Sequence, residues 1–194
     1  MTTAETIITR LRQEFDCRLT TDQMLSIINV LEKRLAIDIV RKTQTLIFKA
    51  VPECPMYDLD IDFDYVTRVF VNDKEIKKRY SYNSEGYICE DAGVIFSSPF
   101  DSGTIYVEHL VVPEDITEAD MGDRALFLGE GYDEIYLYHI LSREALMSGN
   151  IDMLNNYSLL YAEALNSLKE EMSRLPKGEA PKEENGATIY KNIW

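Results

Sequence analysis

The stretch from Val66 to Val112 is the part of this chain that most constrains its fold. It consists of short runs of β-branched and aromatic residues, separated by turn residues such as Asn72-Asp73 and Gly103. Runs of this kind, with turns about every eight to twelve residues, predict a small antiparallel sheet or sandwich. Helical sequence lies on both sides of the stretch. The sequence therefore predicts an α+β fold in which a β module is inserted.

Two amphipathic helices are predicted before the β module. The first covers residues 3–16 after a cap at Thr2 or Thr3, and the second covers residues 21–42 after a cap at Thr20 or Thr21. In both helices apolar side chains recur at intervals of three and four residues, which predicts one buried face on each. These side chains are Ile7, Ile8, Leu11 and Phe15 in the first helix, and Met24, Ile27, Ile28, Leu31, Leu35 and Ile39 in the second.

A second pair of helices is predicted after the β module, over residues 132–148 and 152–174, preceded by a short helix or ordered loop at 119–128. The break at Gly149-Asn150 is short, which predicts an antiparallel pair. We therefore expect a helical bundle made from both ends of the chain, with the β module between its parts. The expected divisions are 1–45 for the N-terminal helices, 46–116 for the β module, 117–175 for the helix pair and 176–194 for an extended, flexible C-terminal tail.

The composition argues against general binding to nucleic acids and against membrane insertion. The net charge is −14, and phosphate binding needs lysine and arginine. The N-terminal residues are charged and amphipathic, which predicts neither a signal peptide nor a membrane span. Three cysteines without CxxC spacing, Cys17, Cys54 and Cys89, predict reduced thiols in a cytosolic protein.

One basic cluster stands out against this acidic background. It contains Lys74, Lys77, Lys78 and Arg79, which follow the Asn72-Asp73 turn. Lysines on a hairpin can protect a sheet edge from pairing with another chain. They can also form a local contact with phosphate or with an acidic partner, so we treat the cluster as a candidate contact loop.

Four aspartates alternate with apolar residues just before the β module's central strands. In a strand, Asp58, Asp60, Asp62 and Asp64 would share one face. An EF-hand calcium loop also begins D-x-D-x-D, but it requires glycine at position six and an acidic residue at position twelve. Phe63 or Tyr65 occupies position six and Val69 or Val71 position twelve, so both registers fail. The interpretation is an acidic strand face directed to water or to a basic partner.

No recognisable catalytic, metal-binding or cofactor-binding pattern is present. His109 and His139 lie among apolar residues, outside any metal-ligand spacing, and are expected to be core or interface histidines. Gly129-Glu130-Gly131 does not match a phosphate-binding loop, and its carboxylate would repel phosphate. The sequence therefore predicts that the protein is not an enzyme and needs no cofactor.

The end of the chain has a different character. Residues 176–188 are rich in proline, glycine and glutamate, which predicts a flexible segment. Four large apolar side chains then follow: Ile189, Tyr190, Ile193 and Trp194, the only tryptophan. A flexible linker ending in such residues is typical of a docking peptide, and the alternative is that Trp194 folds back onto its own domain.

The pattern of the whole chain resembles the head-to-tail adaptor (connector) proteins of tailed bacteriophages, most closely those of short-tailed phages. The segments VTRVFVNDKEI and GYICEDAGVIFSSPFDSGTIYVEHLVVPEDIT, followed by the helix YDEIYLYHILSREAL, carry this resemblance over residues 66–175. It implies a homo-oligomeric, dodecameric ring in the virion neck, assembled from subunits in the host cytoplasm. It also implies a portal protein above the ring, a tail or nozzle protein below it, and DNA that passes through the lumen without specific binding.

The resemblance also suggests roles for the unusual residues. The family's C-terminal tail engages the portal, and Ile189, Tyr190, Ile193 and Trp194 match that role by position and chemistry. The acidic face at Asp58, Asp60, Asp62 and Asp64 would suit a lumen along which DNA slides, because like charges offer no binding sites. Two alternatives remain: another neck or tail-completion protein, and a small cytosolic protein-binding module with a regulatory role.

Overall fold

The computed structural model describes residues 1–58, 65–79, 86–90, 93–97, 100 and 102–174. In this part of the chain helices and antiparallel strands occur together, as the predicted α+β class requires. Two compact units are formed: a helical unit from Met1–Val40 and Val112–Leu175, and a β unit from Arg41–Val111. All three cysteines lie in the described part and none forms a disulfide.

The helical unit contains the four predicted helices. They are α1 (Ala4–Phe15), α2 (Thr21–Arg34), α3 (Asp133–Ser148) and α4 (Ile151–Arg174). The caps follow the sequence: the Thr3 hydroxyl accepts the Thr6 N–H, and Thr20 and Gln23 form a reciprocal capping box. Gly149, in the left-handed conformation at φ 71°, ends α3.

A single apolar core holds the helical unit together, and in α1 and α2 most of its residues are those that the helical periodicity selects. α3 packs against α1, α2 and α4. The core includes Ile7, Leu11, Met24, Ile28, Leu31, Leu35, Ile135, Tyr136, Leu137 and Ile140. α4 contributes only Leu168 as a fully buried side chain, so most of this 24-residue helix faces solvent.

The second predicted helix differs from its expected form. The α-helical part ends at Arg34, and a six-residue π-helix, Leu35–Val40, continues it. Arg41, with φ 50°, then leaves the helical conformation and begins the β unit. The predicted helix over 21–42 is therefore present through Val40, but its last six residues are π-helical and not α-helical; Leu35 is buried as expected.

The segment from 112 to 132 contains turns and no regular helix, so of the two predictions for 119–128 the ordered loop is the one observed. Hydrogen bonds attach it to α1 and α2. The Glu5 N–H donates to the Met121 carbonyl at 3.0 Å, and the Leu126 N–H donates to the Thr2 carbonyl at 2.9 Å. The Asn29 side chain both donates to and accepts from the Ile116 backbone, at 2.9 and 2.8 Å.

The β unit has two antiparallel sheets in its described part. Its strands are β1 (Thr43–Lys49), β2 (Met56–Asp58), β3 (Val66–Val71), β4 (Lys74–Ile76), β5 (Tyr87–Glu90), β6 (Gly93–Phe96) and β7 (Thr104–Leu110). One sheet has the order β1-β7-β3-β4 and the other has the order β2-β6-β5. The predicted short strand at 79–82 lies mostly outside the described residues, and Arg79 is not in a strand.

Residues from both sheets form one apolar cluster, which includes Val69, Tyr87, Phe96, Ile105 and Val107. The pairing of β3 with β7 shifts register between Val66 and Arg68. The β3–β4 turn is fixed to the start of β7, because Asn72 Oδ1 accepts the Thr104 N–H at 3.0 Å. These contacts position the hairpin that carries the basic cluster.

Candidate interaction surfaces

The predicted basic cluster lies on the β3–β4 hairpin and just after it: Lys74 is the first residue of β4, and Lys77 and Lys78 follow its last residue, Ile76. Asn72 and Asp73 both have positive φ, 49° and 64°, as a two-residue hairpin turn requires, and Val71 pairs with Lys74. Lys74, Lys77 and Lys78 are exposed. Together these three side chains form the lysine hairpin.

Arg79 does not share this surface. Its side chain is 7% exposed, and its backbone N–H donates to the Tyr87 carbonyl at 2.7 Å. Sequence position alone grouped Arg79 with the lysines, but its side chain is buried whereas theirs are exposed. The candidate contact loop therefore consists of three lysines, and Arg79 supports it from inside the β unit.

Arg68 on β3 neutralises Glu75, one of the two carboxylates in the hairpin; the other, Asp73, lies in the turn. Arg68 Nε and Nη2 donate to the two Glu75 oxygens at 3.3 and 2.9 Å, and the guanidinium lies 4.6 Å from the centre of the Phe70 ring. This hydrogen-bonded contact with Arg68 lowers the pKa of Glu75. Glu75 therefore stays ionised and paired with Arg68, and the lysine hairpin keeps a net positive charge.

Of the other two groups of predicted site residues, the acidic face and the docking tail, the structure describes only Asp58. Asp58 ends β2 and its backbone pairs with Gly93 of β6. Asp60, Asp62 and Asp64 lie outside the described residues, and so do Ile189, Tyr190, Ile193 and Trp194 of the tail. The acidic face and the docking tail remain expectations from the sequence.

Both histidines are buried, each 7% exposed. His109 Nδ1 lies 3.1 Å from the Leu110 carbonyl, and its Nε2 has no hydrogen-bond partner. The His139 ring lies 4.9 Å from the ring of Tyr161. Burial lowers the pKa of His109, and lowers that of His139 to about 4 with a further contribution from Arg143 and Arg34. Both rings are neutral at pH 7, and among the described residues no group of three potential ligands could hold a metal ion.

A buried carboxylate in the helical unit was missed by sequence reasoning. Glu32 is 3% exposed, accepts the Tyr136 hydroxyl on one oxygen, and accepts the Phe127 N–H on the other at 2.8 Å. Burial raises the pKa of Glu32, partly offset by these hydrogen bonds. The available signal was its position four residues after Ile28 on the apolar face of α2. Glu32 joins α2, α3 and the segment at 112–132.

The turn between α3 and α4 exposes large apolar side chains. Those more than a third exposed include Leu146, Met147, Ile151 and Met153. Beside them lies a groove of about 350 Å³ between the end of α1 and the helix pair, lined by Phe15, Arg18, Leu141, Glu144, Met153 and Tyr157 among others. Exposed apolar groups concentrated at one end of a helix pair are typical of a surface that a partner protein covers.

Within the described part of the chain, no helix has the length and apolar composition needed to cross a bilayer.

A protein-family model described as SU10 adaptor protein matches residues 2–182, nearly the whole chain. No curated protein matches the chain significantly.

Proposed function

Since the chain belongs to the SU10 adaptor protein family, a family of phage head-to-tail adaptors, we propose that it forms a ring beneath the portal of the capsid. The proposed ring is a dodecamer that connects the capsid to a tail or nozzle protein in the virion neck, and its role is structural and not enzymatic. The observation that carries the proposal is the family match over residues 2–182. We also propose that it is the adaptor of a short-tailed phage.

The distribution of buried and exposed residues supports an assembling protein. Only Leu168 of α4 is buried, although the helix has 24 residues and would be about 36 Å long. The turn between α3 and α4 adds exposed Met147 and Ile151. We assign the α3–α4 pair to the wall of the ring and the β module at 46–116 to a platform, with the N-terminal helices at 1–45 completing the helical bundle.

The charge balance supports passage of DNA without specific binding. The chain carries 34 acidic and 20 basic side chains, and a negative lumen would repel the phosphate backbone. We propose that Asp58, Asp60, Asp62 and Asp64 contribute to that lumen. An assembled ring in which these carboxylates face outward would contradict this assignment.

We propose that the C-terminal tail, 176–194, attaches the ring to the portal through Ile189, Tyr190, Ile193 and Trp194. Large apolar side chains after a polar linker suit a peptide that becomes ordered on its partner. Such a peptide adds little to the stability of the free chain, since its contacts form only in the complex.

Deletion of residues 186–194 tests this attachment. We expect loss of binding to the purified portal protein, with little change in melting temperature. The matched control replaces Lys182, Glu183 and Glu184 in the linker with serine, which keeps the apolar residues and should keep portal binding. A large fall in melting temperature on deletion would instead show that Trp194 folds back onto its own domain.

The mass of the purified protein, alone and with portal, tests the ring itself. A ring-forming adaptor and another neck or tail-completion protein are both expected to assemble under these conditions, so mass alone does not distinguish them. The tail deletion distinguishes them, because only the adaptor is expected to lose binding to the portal. A chain that stays monomeric in the presence of portal would contradict the adaptor proposal and favour a small regulatory binding module.

A further inference from the structure

The lysine hairpin carries positive charge that the described part of the chain does not neutralise. Lys74, Lys77 and Lys78 are exposed, and no described residue forms an ion pair with any of them. Of the two carboxylates in the hairpin, Glu75 is already paired with Arg68, and Asp73 offsets only one of the three lysine charges. In a chain of net charge −14, three exposed lysines on one tight hairpin form a surface that attracts anions.

α4 presents the opposite charge on its outward face. Asp152, Leu159, Glu163 and Glu170 follow one another at intervals of seven, four and seven residues, which places them in one line along the helix. All four are exposed, and they lie on the side of α4 opposite Leu168. Asp152 and Glu163 make no ion pair with a described residue, while Glu170 lies 3.7 Å from Arg174.

Leu159 gives this outward face the composition of a protein interface. It is 60% exposed and lies between the carboxylates of Asp152 and Glu163 along the line. Interfaces combine an apolar centre with a charged rim. The alkyl stems of lysine can cover an exposed leucine while their ammonium groups reach flanking carboxylates. A strand hairpin with three lysines therefore fits this helix face in both charge and hydrophobicity.

We infer that the lysine hairpin of one copy of this chain binds the outward face of α4 in the next copy. The inference rests on the proposed ring and names the two surfaces that join its subunits. The surfaces differ, so the contact is heterologous, and a heterologous contact between identical chains closes into a ring when its rotation allows. Charge complementarity favours a second copy of this chain as the binding partner, because each chain carries both the basic hairpin and the acidic helix face.

Zero-length carbodiimide cross-linking tests the contact directly, because it joins only lysines and carboxylates already in contact. Equal amounts of ¹⁴N- and ¹⁵N-labelled full-length chain are mixed under assembly conditions, with portal added if needed, and digested for mass spectrometry. We expect mixed-isotope cross-links between the hairpin lysines and Asp152, Glu163 or Glu170. Assembly with cross-links only at other sites would overturn this inference and leave the ring standing. Failure to assemble even with portal would overturn both.

Charge reversal with rescue provides the second test. Lys74→Glu, Lys77→Glu and Lys78→Glu together should weaken assembly roughly tenfold, since a few exposed pairs contribute about 0.5 kcal/mol each. Adding Asp152→Lys, Glu163→Lys and Glu170→Lys to the same chain should restore assembly. Lys169→Glu, which removes an exposed lysine elsewhere on α4, is the control and should leave assembly unchanged. Equal weakening by the control, or no rescue, would overturn the inference.

Salt dependence separates this contact from a purely apolar one. Exposed charge pairs are screened over about 10 Å at 0.1 M salt and more strongly above it. We expect the wild-type assembly constant to fall as salt rises, and the triple-glutamate variant to lose most of that dependence. An assembly constant that is insensitive to salt in both proteins would contradict the proposed contact.

Discussion

The Tyr136 hydroxyl donates a hydrogen bond to the carboxylate of Glu32, and both side chains are almost fully buried. Tyr136 lies on α3 and Glu32 on α2, 104 residues apart in the sequence. The second carboxylate oxygen accepts the Phe127 N–H at 2.8 Å. One acidic side chain thus satisfies two buried donors from distant parts of the chain.

Glu32→Ala should lower the free energy of unfolding by about 2 kcal/mol, because it leaves two buried donors without an acceptor. Urea denaturation measures the change, and the slope of the transition should stay constant. Glu163→Ala on exposed α4 is the control and should change stability by less than about 0.5 kcal/mol. An equally small effect of Glu32→Ala would show that water or another acceptor replaces the carboxylate.

The raised pKa of Glu32 predicts a pH dependence of known sign. Its ordinary value is 4.5, and burial raises the pKa of the folded carboxyl above it. The folded protein therefore binds this proton more tightly than the unfolded chain does. The resulting stabilisation is complete below pH 4.5 and is lost as the pH rises through the folded value. The urea midpoint of wild type, relative to Glu32→Gln, should fall over that range.

The lowered pKa of His139 predicts a pH dependence of stability with the opposite sign, over a neighbouring pH range. Burial lowers its pKa from 6.5 to about 4, so the folded protein resists protonation that the unfolded chain accepts. Its contribution is present above pH 6.5 and is lost as the pH falls toward 4, amounting to about 3 kcal/mol. His139→Phe keeps an aromatic ring beside Tyr161 and should be relatively more stable in acid. Parallel pH profiles of the two proteins would contradict the prediction.

Gly103→Ala should destabilise the β unit by at least about 2 kcal/mol. A Cβ at this position would lie 2.3 Å from Asn72 Oδ1, and the backbone φ of +132° is unfavourable for side chains. Gly129→Ala is the control, since φ is +75° there but no atom lies within 4 Å of the added Cβ. It should cost about 1 kcal/mol from backbone strain alone. Equal losses of unfolding free energy in the two variants would show that steric contact with Asn72 contributes nothing.

Local sequence signals predicted most of the regular elements. Thr3, Thr20 and Gly149 marked helix ends, and Asn72-Asp73 marked the hairpin turn. The π-helix Leu35–Val40 was not predicted, because Leu35 and Ile39 continue the same apolar spacing as α2. Leu46, Ile47 and Phe48 lie in the seven-residue strand β1, but their short apolar run alone fits either a short strand or an entry loop.

The surfaces were harder to predict than the elements, because burial depends on contacts between distant residues. Glu32 is an acidic residue, a type that normally lies at the surface, and only its partners 95 and 104 residues away explain its burial. Arg79 is adjacent to Lys78 in sequence but is enclosed near Tyr87. The exposed apolar end of α3–α4 was also not predicted from the sequence, since apolar periodicity does not show which apolar side chains remain exposed to solvent.

Insertion of the β unit between Val40 and Val112 has a consequence for synthesis on the ribosome. The Thr2 hydroxyl bonds to Asp133, 131 residues later, and α1 packs against α3 as well as α2, so the packing of α1 is completed only after α3 has been synthesised. At translation rates of about 5 to 20 residues per second, that delay is on the order of ten seconds. The β unit emerges whole during this interval and can fold first.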